Sequence, residues 1–479
     1  MRRPGRTWGR PDQRDPNLTA RWARPEILEH RATEPTGASG GSAVKPTHTG
    51  RGGVAGDCAD VGGLVNAVVS LARQFVVVRS AVAWHGRFSR DPYARLHLAE
   101  GRRDPYAIYD EVRRRGELVP SPLVGFQTAT HKVCRQVLRD RRFGVQAEGA
   151  LNRGEGRMSL LELDPPDHTR LRRLVAPAFT PHAIAGYRTR IEGVVDGLLD
   201  AQPEDGPWDL VAGLASPLPI AVITDLLGVP DTNSAAFARY GATIGSALAG
   251  PQSVAHVARL IEADRQLNRV WSQVFDHRRR EPGDDIVSQL LAQEGQQLSP
   301  AELQPLCMLL LLAGFETTVN LIGNTVLALL DQPDQWRAVV EDPSLAASAV
   351  EETLRWDPPV QRTLRAPTTD VELAGAMVPR GSMVVLYLAG ANRDPDAYDD
   401  PDRFDLTRKG GAEHLAFSAG IHYCLGAPLA RLEATVALQR LAQRFPRLQR
   451  AGRLRRRSGT VIRGPVELMV GQPSTARAA

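Results

Sequence analysis

Residues 417–426 read Phe-Ser-Ala-Gly-Ile-His-Tyr-Cys-Leu-Gly, and this stretch decides how the rest of the chain is interpreted. A single cysteine, Cys424, lies between Gly420 and Gly426, and an apolar run with helical spacing follows from Leu425 to Leu438. Glycines allow a backbone to approach a flat ligand closely, and the start of a helix favours a negatively charged thiolate. The stretch therefore predicts a turn that presents a cysteine sulfur as a ligand.

One ligand that proteins hold through a single thiolate is haem iron, and this ligation favours cleavage of the O–O bond. Backbone N–H groups that point at the sulfur tune such a site, which suits a loop rich in glycine. Five fixed residues in this order match by chance in roughly one of two thousand chains of this size. The alternative is a buried structural cysteine in a glycine-rich turn.

The stretch resembles the haem-ligand loop of the cytochrome P450 family, the haem-thiolate monooxygenases. The usual pattern is Phe-Gly-x-Gly-x-His/Arg-x-Cys-x-Gly, and this chain departs from it at Ser418, which still allows a tight turn. The resemblance implies that Cys424 is the axial ligand of haem b and that His422 contacts a haem propionate. The other fixed positions of the loop are Phe417, Gly420 and Gly426.

The composition limits the class of protein. The chain has 479 residues and is 42% hydrophobic, which suffices for one large core or for a few modest domains. The net charge is +5, but residues 1–56 contain ten Lys and Arg against five Asp and Glu, so the remainder is balanced. We therefore expect no nucleic-acid binding by the main domain. Four widely spaced cysteines indicate neither a disulfide framework nor a zinc site, and they suit a cytoplasmic protein.

The N-terminal part differs from the rest of the chain. Residues 1–60 are rich in Arg, Pro, Gly and Thr without apolar periodicity, and we predict a disordered extension. Residues 61–82 place apolar side chains on one face, which predicts an amphipathic helix followed by a linker to residue 103. This helix either packs on its own domain or contacts a membrane surface or a partner. Because Arg73 and Arg79 interrupt it, no transmembrane span is predicted.

Residues 104–479 form the predicted catalytic domain, and their pattern is mainly α with small β-sheets. The predicted helices are 106–115, 131–139, 183–201, 219–227, 254–280, 285–293, 299–330, 333–341 and 345–356. The predicted strands are 371–373, 383–388, 460–462 and 467–470. The resemblance implies the cytochrome P450 fold, a triangular prism of helices in which one long helix crosses the distal side of the haem.

A second motif opens a predicted helix at residues 164–172, with Asp164 as its cap. His168 and Arg172 are four residues apart and share a face, where two donors suit a carboxylate. The motif alone also fits a solvated basic helix. The resemblance implies that His168 and Arg172 bind haem propionates, and that Arg365 reaches a propionate from the sheet region.

The long predicted helix is interrupted by Ala-Gly-Phe-Glu-Thr-Thr at residues 313–318. A buried acid beside threonines needs a reason, because an unpaired buried charge is costly, and the glycine weakens the helix. The resemblance implies that Glu316 and Thr317 deliver protons during oxygen activation and that Gly314 lets the helix open above the haem. The alternative is an ordinary core helix with a paired glutamate.

One face of this helix and nearby segments are the predicted substrate lining. Positions 309, 313 and 317 recur every four residues and share a face, which is expected to look onto the haem, with Ala313 among the residues that contact the cofactor. The candidate lining residues are Leu309, Leu312, Ala313 and Val360, together with residues 143–163 and the C-terminal hairpin near Val461. Their apolar character favours a lipophilic substrate.

A third motif places Glu352 and Arg355 three apart on a helix, and Arg403 follows later in the chain. The resemblance implies that these three residues form a buried ion network behind the haem loop. The motif is weak by itself, since such pairs decorate many surface helices.

Together these patterns predict a soluble, bacterial-type monooxygenase that hydroxylates a lipophilic small molecule with O2. No flavin-type module is found in the sequence, so electrons are expected from a ferredoxin and its reductase. Two alternatives stay open. One is a haem-thiolate enzyme with another outcome, such as phenol coupling, epoxidation or peroxide-driven oxidation; the other is a haem-binding sensor without turnover.

Overall fold

The structure, a computed structural model, describes residues 80–145, 159–245 and 253–473. The predicted disordered extension lies outside this range, and of the helix predicted at 61–82 only residues 80–82 are described, as helix. One compact unit begins at Ala81. Its early helix Pro92–Leu96 packs through Leu96 against Ile108, so the packed unit starts upstream of the boundary predicted at residue 104.

Helices make up most of the described residues, as the mainly α prediction requires. The α-helices are Pro92–Leu96, Ala99–Arg103, Tyr106–Arg115, His131–Arg139, Ser159–Glu162, Asp167–Val175, Pro181–Ala185, Arg188–Asp200, Pro217–Leu227, Asp231–Gly245, Val254–Arg280, Ile286–Leu291, Pro300–Leu330, Pro333–Glu341, Ala346–Trp356, Leu388–Ala391 and Ala427–Arg444. Short π or 3-10 turns occur at His85–Ser89, Ala176–Phe179, Val211–Ala215, Pro343–Leu345 and Gly420–His422. Most predicted helices agree within three residues, but the one predicted at 183–201 is two helices that meet near Gly186.

Ten short strands lie in the described residues. They are β1 (Val119–Ser121), β2 (Gly125–Thr128), β3 (Phe143–Gly144), β4 (Trp208–Asp209), β5 (Thr363–Pro367), β6 (Val371–Leu373), β7 (Ala376–Val378), β8 (Val384–Leu386), β9 (Gln449–Arg456) and β10 (Pro465–Gly471). The sheets have the orders β1-β2-β8-β5-β3, β4-β10-β9 and β6-β7, and only β2 and β8 pair in parallel.

The prediction of the C-terminal hairpin was wrong for one of its two strands. Residues 460–462 contribute only a bridge between Ile462 and Val360. The partner of β10 is β9, whose sequence Gln-Arg-Ala-Gly-Arg-Leu-Arg-Arg is mostly exposed. Such a polar strand lacks the alternation of apolar residues by which strands are predicted.

The long helix Pro300–Leu330 is the centre of the fold. Ser299 and Glu302 form a capping box at its start, where Pro300 occupies a position that needs no N–H donor. It packs against helices Pro217–Leu227 and Ala427–Arg444, among others. Among the described helices it is the only one long and apolar enough to cross a membrane, but 78% of that apolar window is buried inside the protein. Its hydrophobic residues therefore form core, as expected for a helix that is apolar all round.

Candidate active site

The cysteine turn is held by backbone hydrogen bonds. Cys424 N–H donates to Phe417 O at 2.9 Å, and Tyr423 N–H donates to Gly420 O at 3.1 Å. Gly420 has φ +69°, and a Cβ there would lie 2.4 Å from Leu138 O, so no other residue fits without moving the backbone. Ser418, where the family pattern has glycine, also adopts a left-handed φ of +64°.

Cys424 is an exposed residue, although its thiol group is surrounded by protein atoms. Burial raises the pKa of the thiol above its ordinary value. The N–H groups of Gly426 and Ala427 hydrogen-bond the sulfur and act in the opposite direction, as does the charge of Arg172. Helix Ala427–Arg444 begins three residues after the sulfur, which places positive helix-dipole charge near it.

Four basic side chains from three separate segments meet beside this turn. His168 and Arg172 come from helix Asp167–Val175, Arg365 from β5, and His422 from the cysteine turn. The His168 and His422 rings lie 4.2 Å apart between centroids, and Arg172 Nη2 donates to Tyr423 O at 2.7 Å. Burial lowers the pKa of His168 to about 4 and that of Arg365 to about 10. The motif's Asp164 accepts the N–H of Val145, and the helix itself starts at Asp167.

This basic cluster has donors left for an anionic ligand. His168 Nδ1 and His422 Nε2 are buried without a hydrogen-bond partner among the described residues. Asp164 Oδ1 lies 3.7 Å from His422 Nε2, beyond hydrogen-bonding distance. Arg365 is 5% exposed; its Nη1 donates to Thr363 Oγ1 and Leu364 O in its own strand, and its Nη2 is 3.5 Å from Ser418 Oγ. Two propionate carboxylates beside a thiolate ligand match this donor set, so the residues present fit a haem.

The long helix carries further residues of the predicted site. Ala313 is exposed and Thr317 partly exposed, and Thr317 Oγ1 donates to Ala313 O at 3.1 Å. The helix is uninterrupted through Gly314, where a Cβ would lie 3.0 Å from Ile223 Cγ1. The glycine therefore serves close packing against helix Pro217–Leu227, which differs from the predicted opening of the long helix.

Glu316 projects from the same helix but does not face Thr317. Its Oε1 lies 2.6 Å from Arg457 Nη1, and the carboxyl is 5% exposed. Burial raises the pKa of Glu316 above its usual value, and the charge of Arg457 opposes this. The acid is thus paired, and its partner comes from the loop that follows β9.

The residues predicted to line the substrate site differ in how accessible they are. Ala313 and the half-buried Val360 are accessible, whereas Leu309 is 5% exposed. Leu312 is 1% exposed and lies in the main core together with Leu309, and the role of both as lining residues stays a prediction. Of the predicted lining segment 143–163, residues 146–158 lie outside the described residues.

The ion network behind the turn contains Glu352 and Arg355, as predicted, but not the side chain of Arg403. Arg355 makes two hydrogen bonds to Glu352, at 2.7 and 2.8 Å, with both side chains about 5% exposed or less. Arg408 completes the network, with its Nε 3.1 Å from Glu352 Oε1. The Arg403 side chain is 68% exposed and its ion-pair partner among the described residues is Asp405, at 3.8 Å, while its carbonyl accepts from Arg355. The prediction of Arg403 is corrected because its backbone, not its guanidinium, faces the network.

Arg431 is a further residue of the site that sequence reasoning missed. It bonds Glu351 through two nitrogens at 2.6 and 3.1 Å and reaches Tyr423 Oη at 3.2 Å. Its guanidinium also lies 4.6 Å from the centre of the Phe417 ring. The signal in the sequence was position: Arg431 lies seven residues after Cys424, in the second turn of the helix that follows the cysteine turn.

Comparison with known proteins gives one consistent result. The family model described as "Cytochrome P450" matches residues 255–452. Cytochrome P450 monooxygenase PikC of Streptomyces venezuelae is 41% identical, over 72% of this chain and 85% of that protein. Vitamin D(3) 25-hydroxylase of Pseudonocardia autotrophica is 44% identical, over 64% and 75%. The crystal structure of Mycobacterium smegmatis CYP164A2 in the ligand-free state superposes with a TM-score of 0.74 at 40% identity, covering 79% of this chain and 99% of that one.

Proposed function

The chain belongs to the cytochrome P450 family, and we propose that it inserts one oxygen atom of O2 into a lipophilic small molecule. Membership confirms the predicted fold and the predicted enzyme class, a haem-thiolate oxidoreductase with iron protoporphyrin IX bound through a cysteine. The observation that carries the proposal is an exposed Cys424 beside a basic cluster with unused donors.

Haem bound through Cys424 supplies the redox chemistry of O2 activation, and the thiolate favours O–O cleavage. The protein holds the sulfur by the N–H groups of Gly426 and Ala427. His168, Arg172, Arg365 and His422 are the residues that would bind the haem carboxylates. Charge-assisted hydrogen bonds from arginine to a carboxylate are among the strong ones in proteins, so this cluster would fix the orientation of the group.

Glu316 and Thr317 are the proposed acid and alcohol of the proton path. Glu316 is buried and titratable, and Thr317 offers its hydroxyl at the accessible face of the long helix. A positioned acid near the reacting group contributes a large factor to proton-dependent steps. Both groups together favour O2-dependent chemistry over a reaction driven by peroxide alone.

The substrate is proposed to be a lipophilic molecule of secondary metabolism or a foreign compound. Ala313 and Val360 are apolar and accessible, and binding sites lined by such residues suit apolar ligands. One relative of similar identity is named for the hydroxylation of vitamin D(3), a lipophilic molecule, which supports this class. Hydroxylation is the proposed outcome. A ferredoxin and its reductase are the proposed electron donors, in the cytoplasm.

The test is turnover with labelled oxygen. Compounds are first selected by the spectral change that a bound substrate causes at the haem, and each binder is then incubated with ferredoxin, reductase, NAD(P)H and isotopically labelled O2. We expect a product that carries one labelled oxygen atom, and no product from Cys424→Ser. A product without labelled oxygen would replace hydroxylation by coupling, and binders without any product would contradict the enzyme function.

A further inference from the structure

A buried arginine, Arg362, lies between the early helix Pro92–Leu96 and the C-terminal loop, and it is 7% exposed. Its Nη2 donates to Thr460 Oγ1 at 2.9 Å and lies 3.3 Å from His97 Nε2. Its guanidinium carbon lies 4.7 Å from the centre of the Tyr93 ring. Its Nη1 is buried and has no hydrogen-bond partner among the described residues. The N–H groups of Nη1 are therefore available to a ligand.

The groups that Arg362 contacts carry no negative charge. Arginine has no acceptor atom, so the His97 ring accepts through Nε2 and is in its neutral form. Burial lowers the pKa of His97 to about 4, and the charges of Arg362 and Arg102 act in the same direction. Thr460 offers a hydroxyl, and Tyr93 offers the face of its ring. Within the part of the chain that the structure describes, the positive charge of Arg362 is unpaired.

The other buried arginines show what such a charge requires. Four arginines in the described ranges are 8% exposed or less, namely Arg355, Arg362, Arg365 and Arg393. The first and the last of these form ion pairs with acids. Arg365 forms no ion pair with a described acid, and it belongs to the basic cluster that would bind the haem carboxylates. Because an unpaired buried charge is costly, Arg362 has the same need for an anion that Arg365 has.

The surroundings of Arg362 lie just beneath the protein surface. Tyr93, His97 and Thr460 are each half-buried. Arg102 is exposed, and its guanidinium donates to the His97 carbonyl, which adds positive charge at this edge. A negatively charged molecule is therefore attracted to the region from solution.

The free donors define the chemistry of the ligand. The Thr460 hydroxyl accepts from Arg362 Nη2 and keeps its own proton to donate, beside the free N–H groups of Nη1. The planar guanidinium matches the two oxygens of a carboxylate, and one unpaired positive charge matches one negative charge. A phosphate dianion would bring a second negative charge, for which the described residues around Arg362 offer no buried cation.

We propose that Arg362 and Thr460 form a carboxylate-binding site that shares no contact residue with the basic cluster beside the cysteine turn. The carboxylate belongs either to a small acid from solution or to the lipophilic substrate. The site itself does not depend on the proposed function; only its second source does.

Calorimetric titration of the haem-loaded protein with octanoate tests the site. We expect 1-octanol, the matched neutral molecule, to bind at least about tenfold more weakly than octanoate, because it offers no charge to Arg362. Arg362→Met is expected to weaken octanoate binding at least about tenfold and to leave octanol binding unchanged. Thr460→Val keeps the guanidinium and weakens octanoate binding less. The control is Arg455→Met, which removes an arginine that is 56% exposed and pairs with Glu467, and it binds octanoate like the wild type.

Several results would overturn the site. These are octanoate binding that is equal in the wild type and in folded Arg362→Met, equal binding of octanoate and octanol, and no binding of acetate or octanoate at millimolar concentration. Tighter binding of inorganic phosphate than of acetate, at equal ionic strength, would overturn the choice of a carboxylate. Each variant is first checked for its spectrum with carbon monoxide, and Arg362→Gln replaces Arg362→Met if the latter does not fold.

The absorption spectrum of the haem separates the two sources. Octanoate binding that requires Arg362 and changes this spectrum assigns the carboxylate to the substrate. The same binding without a spectral change, shared by acetate, assigns it to a small acid, and both results support the site. If the wild type gives no oxygenated product with any binder, the proposed function is wrong, whereas the carboxylate site is still decided by the calorimetry.

Discussion

The two glycines that flank Cys424 in the cysteine turn differ in the reason why glycine is needed, although both belong to one short motif. Gly420 has a left-handed backbone and no room for a side chain, because Leu138 O lies where a Cβ would be. Gly426 has no described atom within 4 Å of an added Cβ and an ordinary negative φ. Packing among the described residues therefore explains the glycine at position 420 but not the glycine at position 426.

This difference predicts the outcome of two equal substitutions. Gly420→Ala is expected to lower the free energy of unfolding by about 2 kcal/mol or more, because it combines left-handed strain with a clash against backbone. Gly426→Ala is expected to change it by less than about 0.5 kcal/mol. Chemical denaturation of the two purified variants measures both values, and equal losses would show that the turn is not built as described.

At the level of elements, the ion network ties helix Ala346–Trp356 to the segment before the cysteine turn. Glu352 accepts from Arg355, Arg408 and the N–H of Asp405, and Arg355 donates to the carbonyls of Pro401 and Arg403. Several donors thus satisfy the buried carboxylate of Glu352. Removing either Glu352 or Arg355 leaves the other charge buried without its partner, which is costly.

The contacts of this network predict how strongly the loss of each member destabilises the protein. Glu352→Ala and Arg355→Ala are expected to cost about 3–5 kcal/mol and to give little haem-loaded protein, because each leaves a buried charge unpaired. Arg408→Ala is expected to cost about 1–3 kcal/mol, since Arg408 is more exposed and Glu352 keeps Arg355. Arg403→Ala serves as the control, with a change below about 0.5 kcal/mol. The ratio of haem to protein and urea unfolding check this order, which a large effect of Arg403→Ala would contradict.

The pair of Arg431 and Glu351 predicts a dependence on pH. Burial alone would raise the pKa of Glu351, but hydrogen bonds from His414 and Arg431 hold it at about 2. A carboxyl whose pKa is lower in the folded than in the unfolded state stabilises the folded protein. This stabilisation is complete at pH values above the unfolded pKa of about 4.3, and it is lost as the pH falls toward 2. The stability difference between wild type and Arg431→Met should therefore be larger at pH 7 than at pH 3.5. The change in this stability difference between the two pH values is expected to be modest, because the Glu351 side chain is 45% exposed.

At the scale of the whole molecule, Asp357 joins distant parts of the chain. Its Oδ1 accepts from Tyr106 Oη at 2.7 Å and from Arg463 Nε at 3.1 Å, and the residue is 4% exposed. Helix Tyr106–Arg115, the end of helix Ala346–Trp356 and the C-terminal loop thus meet at one carboxylate.

Loss of this junction is expected to weaken the whole fold. Asp357→Asn removes the counter-charge of Arg463, which is 14% exposed, and should cost about 3 kcal/mol. Tyr106→Phe removes one hydrogen bond and should cost about 1 kcal/mol. Thermal unfolding measures both, and a cost for Tyr106→Phe that exceeds that of Asp357→Asn would contradict the assignment.

The sequence predicted the features that short local patterns encode, and it did not predict contacts between residues far apart in the chain. The cysteine turn and the helix with His168 and Arg172 were found because their chemistry lies within ten residues. Arg403 and Arg408 both follow the same segment, and no local signal tells which guanidinium turns inward. Arg457 was missed because its partner Glu316 is far away in the chain, and β9 because its residues are polar.

The most direct measurement for the whole account is the absorption spectrum of the reduced, purified protein with carbon monoxide. Ligation of haem iron by Cys424 predicts the strongly red-shifted Soret band typical of a thiolate ligand, and its loss in Cys424→Ser. A band at the position typical of another axial ligand, or the same red-shifted band in Cys424→Ser, would contradict the account.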